Sequence, residues 1–237
     1  MTTIEDQFYI RQRDIINKIS LSSVTIIGCG AVGSCLGVLL AKLGCPHIEL
    51  FDGDTVEDHN IPNQYFPETA LGKNKADALK DVIFNFTPPE DTLKPTVISN
   101  PIYYTDEPIS GKIVFMCVDG LGNRKTVFDR LMRKRIDWVI DTRMGAEYFE
   151  VHTINMHDDD DIMTYIPTTQ GDEMPLPCTG RSVIYNVMGV STIAISLYVK
   201  MIRQKIDDYI PKKITFDYIS YTLTKRYREN DDPTIII

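Results

Sequence analysis

The sequence predicts an α/β fold in which a doubly wound, mainly parallel sheet is covered by helices on both faces. Three observations lead to this prediction. A glycine-rich turn joins an apolar strand to a helix near residue 30, strands and helices alternate through the first 140 residues, and several buried strands are followed by an aspartate. Such alternation favours parallel strands with crossover helices, and ligands of these sheets bind beyond the carboxyl ends of the strands.

The glycine-rich turn follows the β-branched strand 24–27 and has the spacing G-x-G-x-x-G, formed by Gly28, Gly30 and Gly33. In such a turn the first glycine permits the tight bend, the second lets backbone approach a phosphate, and the third lets helix and strand pack closely. The next helix begins at Ala31, so its free N–H groups and partial positive charge can hold an anion. The turn therefore predicts phosphate binding.

A second strand, predicted over 47–51, ends on Asp52, about twenty residues after the glycines. At that spacing an acidic side chain can hydrogen-bond a ribose hydroxyl. Asp119 and Asp141 follow two later buried strands in the same way. Together these features predict a nucleotide site, and the simpler alternative is a turn whose glycines serve packing alone.

The remaining elements complete one domain over 1–237, Rossmann-like, with C-terminal β-strands and a long C-terminal helix. Residues 1–20 are interpreted as an N-terminal helical arm, because 4–19 has amphipathic spacing. The four aspartates at 158–161 are interpreted as a solvated loop. The further predicted helices are 31–43, 72–86, 121–135 and 182–205, and the further predicted strands are 96–104, 113–118, 138–140, 148–156, 213–217 and 219–225.

Composition and charge limit the classes of partner. A net charge of −8 argues against nucleic acid, because phosphate binding needs clustered lysine and arginine. Five cysteines without a C-x-x-C pair predict no structural zinc and no disulfide framework, and they favour a reducing, cytoplasmic location. No signal peptide is recognisable. The uncharged stretch 182–199 contains Asn186 and several small polar residues, so we interpret it as a core helix rather than a membrane span.

Five short motifs follow one another along the chain. They are Arg11-Gln12; Asp52-Gly53-Asp54-Thr55-Val56 with Asn60 and Gln64; Lys75 in Gly72-Lys73-Asn74-Lys75-Ala76; Cys117-Val118-Asp119 with Arg124; and Pro177-Cys178-Thr179. In this order they resemble the adenylating domain shared by ubiquitin-activating enzymes and their bacterial relatives ThiF, MoeB and HesA. The resemblance covers essentially the whole chain and favours the minimal bacterial or phage form.

The resemblance implies an ATP- and Mg²⁺-dependent adenylyltransferase that activates the C-terminal carboxylate of a ubiquitin-like or sulfur-carrier β-grasp protein. It implies a homodimer and a conjugating enzyme as a further partner. Lys75 and Arg11 would supply fixed positive charge, with Arg11 reaching the partner subunit's site, and Asp119 would bind magnesium. The residues implied to bind the nucleotide are Gly28, Gly30, Ala31, Gly33, Asp52, Asp54, Asn60, Gln64 and Lys75.

Each of these side chains also has a plainer interpretation. Lys75 could be a solvated first-turn lysine, Asp119 a helix N-cap, and Arg11 half of a surface ion pair. Two positions depart from the family pattern: Asn63 stands where an arginine is usual, and Gly120 stands where an asparagine is common. The first departure removes one phosphate-directed charge.

Cys178 is the candidate nucleophile. It lies in a proline-rich segment close to Arg181, an electropositive setting that would lower the pKa of the thiol. It could then take the activated carboxyl from AMP as a thioester. The alternative is a small buried residue that caps the last helix. The other four cysteines, Cys29, Cys35, Cys45 and Cys117, lie in predicted core elements and are expected to be inert.

The sequence is also compatible with other functions. The acceptor of the adenylate could be a peptide terminus or a modified RNA base. The chain could also be a non-catalytic subunit that supports an active partner, or a nicotinamide-dependent oxidoreductase that uses the same glycine turn.

Overall fold

The computed structural model describes residues 4–12, 14–16, 21–87, 94–170, 183–203 and 209–228. The strands are β1 (Val24–Ile27), β2 (His47–Phe51), β3 (Thr96–Asn100), β4 (Ile113–Met116), β5 (Trp138–Gly145), β6 (Tyr148–Asn155), β7 (Lys213–Asp217) and β8 (Thr222–Arg226). The helices are α1 (Ile4–Tyr9), α2 (Ala31–Leu43), α3 (Lys75–Asn85), α4 (Leu121–Leu131), α5 (Asp159–Tyr165) and α6 (Ile184–Arg203). The strands form one sheet in the order β3-β2-β1-β4-β5-β6-β7-β8.

The predicted α/β fold is confirmed, and one half of the sheet is parallel. β3, β2, β1, β4 and β5 pair in parallel, with Ile27 of β1 opposite Phe51 on one side and Met116 on the other. The predicted bounds of β1, α2 and β2 agree with the structure to the residue. Since these strands run in one direction, the residues that follow β1, β2 and β4 lie along one edge of the sheet. We call it the carboxyl edge.

The other half of the sheet is antiparallel, because β5 turns back into β6 at Ala146, whose φ is 48°. The prediction that this strand ends on Asp141 is therefore wrong. β5 continues through Asp141 to Gly145, since its pairing with β6 extends beyond its pairing with β4. Asp141 lies opposite Met116 at the end of β4, but inside the sheet and completely buried.

Helices cover both faces of the sheet and divide the core into two clusters. α2, α3 and α6 belong to the cluster that contains Ile26 and Phe115, and α4 and α5 belong to the cluster that contains Ile27 and Val114. Adjacent residues such as Ile26 and Ile27 fall in different clusters because side chains alternate between the two faces of a strand. This two-sided burial explains why the parallel strands are continuously apolar.

α6 is the predicted long C-terminal helix. Among the described residues, it is the one helix whose length and composition would allow it to cross a membrane. Val190, Ala194 and Leu197 are buried in the core, and the helix packs against α2, β5 and β6. The described contacts of α6 are therefore those of a core helix.

The described part of the N-terminal arm packs against the end of α2, and its helix is shorter than the predicted amphipathic stretch 4–19. α1 ends at Tyr9, and turns follow over 10–12. The Tyr9 hydroxyl donates to the carbonyl of Gly44 and the Gln12 side chain donates to the carbonyl of Leu43, each at 3.3 Å. The arm thus satisfies carbonyls that the last turn of α2 leaves unpaired.

The interpretation of residues 158–161 as a loop is wrong. Asp158 is the N-cap of α5 and accepts hydrogen bonds from the amides of Asp160 and Asp161. Aspartates at an N-cap and in a first turn stabilise a helix, because they complement its unpaired N–H groups and its dipole. Asp161 is buried and pairs with Lys212 and Arg228, which are remote in sequence.

Candidate functional site

The glycine turn at the end of β1 requires glycine for steric reasons at two of its three glycine positions. Gly28 has a φ of 94°, and a Cβ there would lie 2.8 Å from the carbonyl carbon and oxygen of Cys117. A Cβ on Gly33 would lie 1.9 Å from the carbonyl oxygen of Gly28. Gly28 and Gly33 are therefore required by the backbone. Gly30 is different, because a Cβ there would meet nothing within 4 Å.

The open side of the turn faces the start of α2. Gly30 is the N-cap of this helix and makes no side-chain cap, and the first turn carries no acidic residue. Gly30 and Ala31 are both partly exposed. The first N–H groups of α2 are accordingly available to an anion, which the helix dipole would favour.

These two glycines provide a matched pair of variants. Gly33→Ala is expected to destabilise the protein by more than about 3 kcal/mol, because the new methyl group would collide with main chain that cannot move independently. Gly30→Ala is expected to fold normally and to bind ATP more weakly, because its methyl group would occupy the space beside the α2 amides. Urea unfolding and ATP titration check both. Equal stability of the two variants would contradict this account of the turn.

Asp52 connects the end of β2 to the glycine turn. One carboxylate oxygen accepts from the amide of Cys29 at 2.7 Å, and the other accepts from the amide of Asp54 at 2.8 Å. Burial raises the pKa of the Asp52 carboxyl, although these two hydrogen bonds and the charge of Lys75 oppose the increase. Each oxygen keeps a further lone pair, so the arrangement is compatible with the predicted contact to a ribose hydroxyl.

Lys75 is held at the same edge by the start of α3. Asn74 caps this helix and also donates to the carbonyls of Asp52 and Asp54, at 2.9 and 3.0 Å. The Lys75 side chain is buried, and its Nζ lies 3.1 Å from a carboxylate oxygen of Asp54. Lys75 is therefore not a solvated first-turn lysine, and the plainer interpretation of this residue is wrong.

Asp54 has a second partner that the sequence did not single out. The hydroxyl of Tyr103 donates to its other carboxylate oxygen. Burial alone would raise the pKa of Asp54, but the hydrogen bonds from Tyr103 and Lys75 lower it below the usual value. Tyr103 follows β3, at the carboxyl edge of a neighbouring strand. In the sequence, the signal for this contact was an aromatic residue near the end of the predicted strand 96–104.

Asp119 follows β4 and is exposed at the carboxyl edge. The N-cap of α4 is Gly120, with a φ of 72°, so the interpretation of Asp119 as the cap is wrong. The described residues contain no group of three or more His, Cys, Asp or Glu side chains that could hold a metal by themselves. A single exposed carboxylate nevertheless fits Mg²⁺, which commonly binds one or two carboxylates together with substrate phosphates and water.

A buried charge network lies directly behind this edge. Asp141 forms ion pairs with Arg124 of α4 and with Arg143, at 2.6 Å for the latter, and accepts from the Tyr165 hydroxyl at 2.8 Å. Burial by itself would raise the pKa of Asp141, but the charges of Arg124 and Arg143 outweigh it and lower the pKa. Arg124, part of one sequence motif, is thus turned inward and anchors α4 to the sheet.

The loop after Asp54, which contains Asn60 and Gln64, reaches the first turn of α2. Asn60 is buried, and its side-chain oxygen accepts from the amide of Glu57 at 3.0 Å, a structural role. The amide of Tyr65 donates to Ser34 in the first turn of α2, at 3.0 Å. Gln64 lines an open groove of about 460 Å³, and its buried side-chain oxygen has no hydrogen-bond partner among the described residues.

Of the predicted catalytic residues, Arg11 lies away from the glycine turn of its own chain. Arg11 is exposed, and its neighbour Gln12 contacts the C-terminal end of α2. This helix has 13 residues, so that end lies about 20 Å from the glycine turn. Cys178 lies outside the described residues, and its predicted role stays a prediction.

The other four cysteines lie in core positions, as the sequence predicts. Cys29, Cys35 and Cys45 are buried free thiols, and Cys117 is partly buried. Burial raises the pKa of each, to about 11 for Cys45 and about 12 for Cys117. Thiols with raised pKa values carry little thiolate at neutral pH and make poor nucleophiles.

Fold and site together define an α/β protein in which a glycine turn and the unpaired N–H groups of a helix lie at the carboxyl edge of its sheet. The chain belongs to the ThiF family, whose sequence model matches residues 7–234. It is 28% identical over 82 residues to ubiquitin-like modifier-activating enzyme 5 of Caenorhabditis elegans, covering 33% of this chain and 20% of that protein. It is 36% identical over 70 residues to adenylyltransferase and sulfurtransferase MOCS3-1 of Zea mays, covering 27% and 15%.

Solved structures agree on the fold. The crystal structure of PaaA matches with a TM-score of 0.73 at 18% identity, over 96% of this chain and 74% of that one. Escherichia coli MccB with MccA-N7isoASN matches with a TM-score of 0.71 at 16% identity, over 95% and 72%. At these identities the likeness establishes the architecture. The matches to the two curated relatives span a fifth or less of the length of those proteins.

Proposed function

We propose that this chain uses ATP to adenylate the C-terminal carboxylate of a substrate. Membership of the ThiF family and the similarity to proteins named as activating enzymes and adenylyltransferases support the proposal. The observation that carries it is the convergence of polar groups at the carboxyl edge. Asp52 accepts from the amide of Cys29 in the glycine turn, and Lys75 and Tyr103 both hydrogen-bond Asp54 at the same edge. Asp119 follows β4, which flanks β1 on its other side.

The proposed reaction has a simple balance. An oxygen of the substrate carboxylate bonds to the α-phosphorus of ATP, the bond from that phosphorus to the α,β-bridging oxygen breaks, and pyrophosphate leaves with the electron pair. The N–H groups at Ala31 and the Nζ of Lys75 would stabilise the negative charge on the phosphate oxygens, and Asp52 would orient the ribose. Asp119 would hold Mg²⁺, which supplies charge neutralisation at the phosphates when bound.

Lys75→Met is expected to lower the rate of ATP–pyrophosphate exchange by about 100-fold or more, because it removes a positioned positive charge while preserving side-chain length. Lys73→Met is the matched control. Lys73 lies two residues away, is exposed, and pairs only with Asp81 among the described residues. Both variants are assayed for exchange and for ATP affinity. A Lys75→Met variant with the activity of Lys73→Met would show that Lys75 does not contact the phosphates.

The proposed substrate is a ubiquitin-like or sulfur-carrier β-grasp protein with a flexible, glycine-ended tail. Two curated relatives, named as a ubiquitin-like modifier-activating enzyme and as an adenylyltransferase and sulfurtransferase, support this class. The proposed active form is a cytoplasmic homodimer in which Arg11 acts in the partner's site. The distance of the Arg11 segment from its own glycine turn supports this arrangement. Cys178 would then accept the carboxyl group as a thioester before a conjugating enzyme receives it.

Exchange of labelled pyrophosphate into ATP tests the adenylation step. The chain is incubated with ATP, Mg²⁺ and candidate small proteins that end in glycine, and exchange is expected with the cognate one. ATP binding without exchange, across candidate carriers and peptides, would refute the proposal. Cys178→Ala is expected to retain exchange and to lose a reductant-sensitive conjugate, and persistence of that conjugate would exclude Cys178 as the nucleophile.

A second candidate is a nucleotide-binding subunit that supports a catalytic partner. Asn63, in place of the usual arginine, and the pairing of Lys75 with Asp54 both leave less free positive charge beside the turn. In this case the isolated chain would bind ATP with no exchange, and exchange would return when the partner is added.

A further inference from the structure

Tyr103 lies flat against the end of β2. A Cβ added to Gly53 would lie 2.7 Å from two ring carbons of Tyr103 and 2.8 Å from a third. Three consecutive ring atoms at nearly equal distances place the face of the ring over Gly53. The glycine is thus needed for close approach, since any side chain there would displace the ring.

The hydroxyl of Tyr103 fixes the orientation of the ring. It donates to Asp54, whose other carboxylate oxygen is held by Lys75. This hydrogen bond raises the pKa of Tyr103 to about 12, so the phenol stays protonated and continues to donate at neutral pH. The ring is therefore held at both ends, by packing on Gly53 and by its hydroxyl.

The other face of the ring is open. Tyr103 is 65% exposed, although it is large, aromatic and anchored by a hydrogen bond. An anchored aromatic ring with one free face at the carboxyl edge offers a surface on which a flat ligand can stack.

The order of strands predicts which ligand group reaches this ring. With phosphates at the glycine turn after β1 and the ribose at Asp52 after β2, the base extends past β2. Gly53 and Asp54 follow Asp52 directly, and Tyr103 covers Gly53. A base bound beyond the ribose therefore meets the free face of Tyr103.

We propose that Tyr103 is a nucleotide-binding residue whose ring stacks on the base, with Gly53 and Asp54 holding the ring in place. This inference rests on the proposed function, because it requires that the carboxyl edge binds a nucleotide. Stacking uses the π face that every base has, so Tyr103 distinguishes a nucleotide from a bare polyphosphate rather than one base from another.

The test compares the dissociation constants of ATP and of inorganic tripolyphosphate, both with Mg²⁺, by calorimetry. The full-length chain is used as wild type, Tyr103→Ala, Tyr103→Phe and Tyr221→Ala. Tyr221 is the matched control, because it is an exposed tyrosine at the β7–β8 turn. β7 lies five strand spacings, roughly 24 Å, from β2, whose end Tyr103 covers. Circular dichroism confirms that each variant folds.

Tyr103→Ala is expected to weaken ATP binding by about 5- to 150-fold and to leave tripolyphosphate binding unchanged. Tyr103→Phe keeps the ring and should lose less affinity, and Tyr221→Ala should match the wild type. Unchanged ATP affinity in Tyr103→Ala would overturn the inference. An equal loss for both ligands would also overturn it, since Tyr103 would then act only through Asp54 and Lys75.

The same titrations separate this inference from the proposed function. If the wild-type chain binds neither ligand, the proposed function fails and the inference fails with it. If the wild type prefers ATP to tripolyphosphate and Tyr103→Ala keeps that preference, the proposed function survives and the inference alone is wrong.

Discussion

Asp119→Asn is expected to lower ATP–pyrophosphate exchange by about 100- to 1000-fold and to raise the Mg²⁺ concentration needed for half-maximal exchange. The substitution removes the negative charge and keeps the size of the side chain. Asp119 is exposed and follows β4 without capping α4. The change should therefore alter the affinity for the metal–nucleotide complex and leave the free energy of unfolding unaffected.

Asp129→Asn is the control for this prediction. Asp129 lies on α4, the helix that begins two residues after Asp119, and forms an exposed ion pair with Lys125. It should retain full exchange and the wild-type dependence on Mg²⁺. If Asp119→Asn showed the same magnesium dependence as Asp129→Asn, the carboxylate at the end of β4 would have no part in binding the metal.

Asp141→Asn is expected to destabilise the protein by about 3–5 kcal/mol, because it leaves Arg124 and Arg143 without their shared buried counter-charge. Asp141 has no exposed surface, so water cannot replace the lost carboxylate. Urea unfolding measures the effect. Asp129→Asn again serves as the control, since an exposed pair four residues apart on a helix contributes only about 0.3–0.5 kcal/mol. Similar losses in the two variants would contradict the importance of the network.

The same network predicts how stability depends on pH. The pKa of Asp141 is lower in the folded protein than in the unfolded chain, where it is about 3.9. Its contribution is therefore fully present above about pH 5 and is lost as the pH falls through the folded-state pKa. Unfolding measured from about pH 5 to pH 2 should show a smaller acid-induced loss for Asp141→Asn than for the wild type. Parallel profiles would show that other carboxylates dominate.

Local sequence patterns are sufficient to predict the first part of the fold, which contains the glycine turn. β1, the glycine turn, α2 and β2 are contiguous, and their period, glycine spacing and terminal Asp52 are all readable from short-range rules. Gly28 and Gly33 have the steric roles that their spacing predicts. Gly33 lies against the carbonyl of Gly28 within the turn, and Gly28 lies against Cys117, directly after the adjacent strand β4.

Long-range partners decided what the sequence pattern missed. Asp141 resembled a strand-end carboxylate until the pairing of β5 with β6 buried it. Asp161 was interpreted as part of a solvated loop, but in the structure it pairs with Arg228, 67 residues later. In both cases the outcome is set by packing rather than by spacing along the chain.

The sequence by itself determined the fold class, the glycine turn and the places of Lys75 and Asp119 at the ends of their elements, because helix, strand and turn preferences act over a few residues. The tertiary structure alone decided that Asp54 and Tyr103 join Lys75, that Arg124 turns inward, and that Arg11 lies far from its own turn. These outcomes depend on which strands become neighbours, and strand neighbours are chosen by burial of the whole sheet rather than by any local stretch of residues.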